Sequence, residues 1–206
     1  TREALPPVED LVFTAIGGTI GLTGVLALYQ SLATGSMGIT APVAGVITAA
    51  LPVIFTAITQ GLPDVVTLLG FAVGLIAVWL VAQSETTGKI HLRAVMLPAY
   101  AGFAFGLAFL FFVRGTEHAT FFPLAAARLT TVALLALFIR VTRAPFVIAS
   151  TGSLALIIFG GLLDAGGNGF FVAAAQIGRI DVAAVLSSMY PAATVTLAAV
   201  LLREKV

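Results

Sequence analysis

Asp164 stands near the middle of a long apolar run, and Asn168 follows it by one helical turn, with Gly161 one turn before it. Gln176 closes this polar track. Arg128, about two turns into the preceding apolar run, is the other charge that lies well inside such a segment. If these runs lie in a membrane, an ionisable group there marks a substrate or ion path by default. Asp164 could bind a cationic group or exchange a proton, because burial favours the neutral form of a carboxyl group. The alternative is a brace, with Asp164 paired to Arg128 or bonded to backbone freed around Gly166 and Gly167. Arg128 reads first as structural, or as a side chain that snorkels to the interface. A second polar group, Ser187, Ser188 and Tyr190, precedes Pro191. Proline in a membrane helix frees a carbonyl group, and broken helices line transport sites. The same logic applies to Thr48, Pro42 and Pro52. The competing reading is a bend whose serines and threonines bond back to their own helix.

Other chemistries lack their residues. There is no H-E-x-x-H, no G-x-S-x-G and no phosphate-binding loop. The glycines from Gly160 to Gly169 follow no strand and read as packing. His91 and His118 stand apart in predicted loops, so a histidine metal site is not expected. Cysteine is absent, which removes disulfide and thiolate chemistry. No enzyme activity and no cofactor are expected. A net charge of +1 does not suit nucleic acid, which requires a basic patch.

The elements that position these residues follow from composition. Hydrophobic residues make up 60% of the 206 positions and charged residues 9%, too few to cover the surface of a soluble domain. Lipid must solvate most of the exterior, where backbone polar groups are satisfied by helices. Seven helix-length segments are predicted, at 11–33, 37–60, 66–82, 93–113, 120–140, 150–177 and 182–202, joined by short links. Small residues recur at helical spacing: Gly17 with Gly21; Ala41, Gly45 and Ala49; Gly70 with Gly74; Gly102 with Gly106. Such faces pack helices closely in lipid. Trp79 and Tyr100 read as aromatic-belt residues.

The first and sixth segments echo each other. Gly17, Gly18, Gly24 and Gly35 lie 143 residues before Gly160, Gly161, Gly167 and Gly178. The offset spans five crossings, an odd number, so the two copies enter the bilayer from opposite sides. Inverted repeats of this kind build secondary transporters, with a site near the midplane where the halves meet. On this register Gly21 matches Asp164 and Val25 matches Asn168, so the first copy is drier, with Thr23, Tyr29 and Gln30 as its polar residues. The simplest whole is two five-helix halves, of which this chain holds helices three to nine. Residues 1–88 are expected to be three helices of the first repeat and residues 89–206 four of the second. The start at Thr1 and the end just after an apolar run read as cut ends of a longer protein.

From Gly161 through Asp164 to Phe171, the chain resembles the EamA-type carriers of the drug/metabolite transporter superfamily. The likeness continues through Ala174–Gly178, Val185–Ala192 with its Leu-Ser-Ser-Met-Tyr-Pro run, and Leu201–Glu204. A weaker copy runs from Tyr29 to Gly35, then through Ala41-Pro42 and Leu51-Pro52 to Gly70 and Gly74. The resemblance implies an all-α, polytopic bundle of ten helices in two inverted repeats, placed in the inner membrane as a permease. It implies movement of small metabolites or drugs by alternating access, often outward, through a central cavity lined by the segments at 11–33, 37–60, 150–177 and 182–202. It departs from the family where Leu62 stands in place of the first repeat's terminal Glu. The rival expectation is a non-transporting packing or assembly protein of the membrane.

The expected substrate-binding residues are Asp164, Asn168, Tyr29, Gln30, Gln176, Ser187, Ser188 and Tyr190. The expected partners are a small-molecule substrate and the lipid bilayer, with a homodimer left open. Arg2, Arg114 and Arg179 fall on one face of the bundle, and Lys89, Arg93, Arg140, Arg143, Arg203 and Lys205 on the other. The positive-inside rule places the second face in the cytoplasm. The family's usual arrangement places the first face there.

Overall fold

The computed structural model describes residues 5–33, 37–83, 92–143 and 151–190. Among them are seven α-helices and no strand: α1 (Val8–Ala33), α2 (Met37–Thr59), α3 (Val65–Gln83), α4 (Leu92–Arg114), α5 (Phe121–Thr142), α6 (Thr151–Ile177) and α7 (Ile180–Ser188). The first six match the predicted segments to within three residues. The seventh is described over nine residues, and its predicted continuation from Pro191 lies outside the described residues, as do Glu204, Lys89 and His91. Five helices, α1, α2, α4, α5 and α6, are long and apolar enough to cross a membrane. The chain has the build of a multi-pass membrane protein.

The exterior is apolar. Leu129, Leu137, Phe159 and Leu162 all stand exposed. The interior is made of small residues, among them Ala27, Ala44, Ala101, Ala104 and Ala184. This distribution suits a solvent of acyl chains, where helices associate by close backbone approach and not by hiding large side chains. Buried hydroxyls are satisfied locally: Thr14, Thr48, Thr56 and Thr116 donate to the carbonyls of Asp10, Ala44, Pro52 and Phe112, each four residues back.

α1 packs on α4 and α5, and α2 packs on α4 and α7. α2 and α4 approach each other closely along their backbones. A Cβ added to Gly102 would sit 2.5 Å from the Ala44 carbonyl oxygen, and one added to Gly106 would sit 2.8 Å from that of Thr48. The Thr48 carbonyl is the one that Pro52, four residues on, leaves without its helical donor. The helix runs unbroken through Pro42 and Pro52. Gly17 and Gly24 press on Phe112 and Phe105 of α4, and Gly18 on Ala127 of α5. On α3 the small-residue reading holds less well: a Cβ at Gly70 would meet nothing within 4 Å, and one at Gly74 would only touch Val185 of α7 at 4.0 Å.

Long-range polar contacts fix the direction of threading. Arg114, at the end of α4, pairs with Glu9 at the start of α1, at 3.1 Å, and also with Glu117. Gln176, at the end of α6, donates to the Thr116 carbonyl in the α4–α5 turn at 2.7 Å. α1 therefore begins at the end of the bundle where α6 finishes, and the two run in opposite senses.

The same end carries two further ties. Asp10 is almost fully buried and accepts from His118 Nδ1 at 3.1 Å. Arg179 holds Asp181 through Nη2 at 2.9 Å and donates to the Gly61 carbonyl at 3.1 Å, joining the α6–α7 turn to the α2–α3 turn. The bond to Asp181 raises the pKa of Arg179.

Asp64 caps α3, accepting from the Thr67 amide at 3.0 Å. Bonds from the Thr67 hydroxyl and amide hold the Asp64 carboxyl below its ordinary value of 3.8. A depressed carboxylate stabilises the fold above its unfolded value and loses that contribution as pH falls through the folded one. The first turn of α3 is expected to stay protected at neutral pH and to fray below pH 3.8. Hydrogen exchange at the Thr67 amide measures this. Asp64→Ala should show the frayed state at every pH.

Candidate functional site

A cavity of about 900 Å³ opens between α1, α4, α5 and α6. Three pairs of residues at the 143-residue offset meet in its wall: Gly21 with Asp164, Leu22 with Ala165, and Val25 with Asn168. Positions 143 residues apart on α1 and α6 thus line one space. α1 supplies a dry face and α6 a polar one.

α4 and α5 complete the wall. Phe105, Phe109 and Phe112 come from α4, and Phe121 and Arg128 from α5. α6 is anchored at its C-terminal half, where Phe171, Val172 and Ala175 are buried and Phe171 stacks on Phe109 with centroids 4.0 Å apart. Its N-terminal half stands away. A Cβ at Gly160 or Gly161 would meet nothing within 4 Å, whereas their counterparts Gly17 and Gly18 are pressed against neighbours.

Across the cavity, Arg128 Nη1 meets Asp164 Oδ2 at 2.7 Å. Asp164 lies thirteen residues before the end of α6 at Ile177, about 20 Å of helix axis at 1.5 Å per residue. The guanidinium is drawn toward mid-helix and not out to the interface. Both side chains keep access to the open space, at 41% and 62% exposure. Arg128 and Asp164 are the charged residues of the wall among those described. Arg128 Nη2 is buried and finds no acceptor among the described residues. An unmet buried donor costs about 1–3 kcal/mol, so the pair leaves a demand on the cation.

Asn168 lines the cavity and donates from Nδ2 to the Asp164 carbonyl at 3.0 Å. Gln176 lines its end and ties α6 to the α4–α5 turn. The remaining sequence-predicted site residues lie elsewhere. Tyr29 and Gln30 are exposed near the end of α1 and outside this wall. Ser188 is buried and donates to the Val185 carbonyl, while Tyr190 donates to the Ala41 carbonyl of α2 at 3.3 Å. Ser187 is half-buried on the same α7 segment, also outside the wall. α2 and α7 pack on each other, so neither contributes to a cavity that the resemblance would have them line. Tyr100, expected in an interfacial belt, donates to Thr23 on α1 at 2.9 Å. The Trp79 side chain lies outside what is described.

Sequence reasoning gave Arg128 a structural part and passed over the α4 phenylalanines. It also set His118 alone, although Asp10 is its partner. The signal for Arg128 was present, since it is a charge within an apolar run beside the run that carries Asp164.

Comparison with known proteins finds no matching family model, no matching curated protein and no matching solved structure.

Proposed function

We propose that the chain is the membrane core of a secondary transporter of the EamA type, which moves small metabolites or drugs by rocking one inverted half against the other. The observation that supports this reading best is the pairing of repeat-equivalent residues, Gly21 with Asp164 and Val25 with Asn168, around one cavity. Oppositely threaded copies that share a cavity give the geometry from which alternating access can arise. An apolar wall with a few convergent polar groups suits a small organic substrate. A proton exchanged at Asp164 would supply the coupling.

One observation favours the rival, a membrane assembly protein: the Arg128–Asp164 pair can brace α5 against α6. A brace alone does not require the space beside it. The test is flux. The complete protein, reconstituted in vesicles, is assayed for uptake and efflux across a panel of amino acids, nucleosides, hydrophobic cations and aromatic carboxylates. A saturable flux above that of protein-free vesicles is expected for at least one class. Flux at background for the whole panel would favour the assembly reading.

A further inference from the structure

We infer that the Arg128 guanidinium is the receptor for an anionic group, and that the ligand of this cavity is an aromatic or similarly apolar monoanion, best a carboxylate. The inference rests on the carrier reading of the cavity and adds the charge of its substrate. Arginine keeps its charge at any physiological pH and presents a planar fork that matches a carboxylate with two parallel bonds. Here the fork is half used. Nη1 is taken by Asp164, and Nη2 has no acceptor among the described residues. Asp164 is the more open partner, so its free lone pairs have access to water, and the unmet need falls on the cation. A ligand carboxylate that displaces Asp164 would engage both nitrogens after a small rotation of the guanidinium. Phe105, Phe109 and Phe121 offer a surface for an aromatic body. Asn168, which now bonds back to its own helix, can turn to donate to the incoming anion or to the released Asp164.

Displacement makes Asp164 a competitor for Arg128, and this separates the inference from a merely structural pair. The experiment is calorimetric titration of the complete protein in lipid nanodiscs with three matched probes: 3-phenylpropionate, its amide, and 3-phenylpropylamine. The carboxylate is expected to bind about tenfold or more tightly than either analogue, the worth of a charge-assisted bond. Arg128→Gln should remove that preference. Asp164→Asn should strengthen carboxylate binding roughly tenfold, an outcome that loss of a brace does not produce. If Arg128→Gln fails to fold, the Asp164→Asn titration decides alone. Preference for the amine, equal binding of all three probes, no binding of any, or weaker carboxylate binding by Asp164→Asn would each overturn the inference. The carrier reading fails on a different result, the absence of flux for every substrate class, and it survives if the amine is the probe that binds and moves.

Discussion

Asp164→Asn in the complete protein is expected to reduce pH-gradient-driven transport to the level of protein-free vesicles, while Asp164→Glu keeps part of it. The substitution retains shape and hydrogen bonding but removes the one carboxyl group in the described cavity wall. With no group there to take and release a proton, a proton gradient has no handle on the cavity. A charge on a membrane helix costs about 2.5–3.5 kcal/mol on insertion scales, and Arg128 then loses its partner. Protein level and helix content are therefore measured beside transport. An intact, folded Asp164→Asn protein that still responds fully to the pH gradient would reject proton exchange at this residue.

The second large effect concerns the fold. Gly102→Ala is expected to cost about 3 kcal/mol, the upper end of the range for overpacking. The new methyl would lie 2.5 Å from the Ala44 carbonyl oxygen, and backbone on the facing helix cannot swing aside as a side chain can. α2 and α4 must separate, and the Ala44, Ala101 and Ala27 contacts loosen with them. Gly70→Ala is the control. Nothing lies within 4 Å of its added methyl, so only the helix propensity gain of roughly 0.5–1 kcal/mol applies. Reversible unfolding in detergent micelles should therefore shift the two variants in opposite directions. A neutral Gly102→Ala would show that the α2–α4 contact is looser than described.

Much of the fold was legible because lipid imposes a simple rule. A segment that is apolar over about 20 residues must be a helix with its backbone satisfied. That rule located α1 to α6. The glycine offset led to the expectation that α1 and α6 run in opposite senses, and the contacts of Glu9 and Gln176 at one end of the bundle agree with it. Asp164 and Asn168, which line the cavity, were legible as candidates because polar groups stand out in an apolar run.

Facing was much less legible. A helix that is apolar all round gives no stripe to show which side meets a neighbour. Hence Gly17 and Gly102 are pressed against other helices, while Gly70 and Gly160, of the same type and similar spacing, are not. The same ambiguity hid the phenylalanines of α4. Ser188 and Tyr190 illustrate another gap. Serine in a helix satisfies itself on a nearby carbonyl, and Tyr190 reaches a carbonyl of α2, so polarity there marks helix contact instead of the cavity. The His118–Asp10 contact joins positions 108 residues apart, a distance over which local pattern carries no signal.

Cysteine is absent from this chain, so cysteines placed in it one at a time, with any cysteine elsewhere in the complete protein replaced, measure the central claim directly. Single cysteines at Val25 on α1 and Asn168 on α6, both in the cavity wall, are compared with one at Leu156, an exposed apolar position on α6 outside that wall. A membrane-impermeant thiol reagent is applied to the complete protein in native vesicles. Labelling of the Val25 and Asn168 variants, with Leu156→Cys unlabelled, is the predicted result, because a water-accessible space must reach both α1 and α6. Protection of Val25 and Asn168 to the same degree as Leu156 would contradict a shared cavity between α1 and α6.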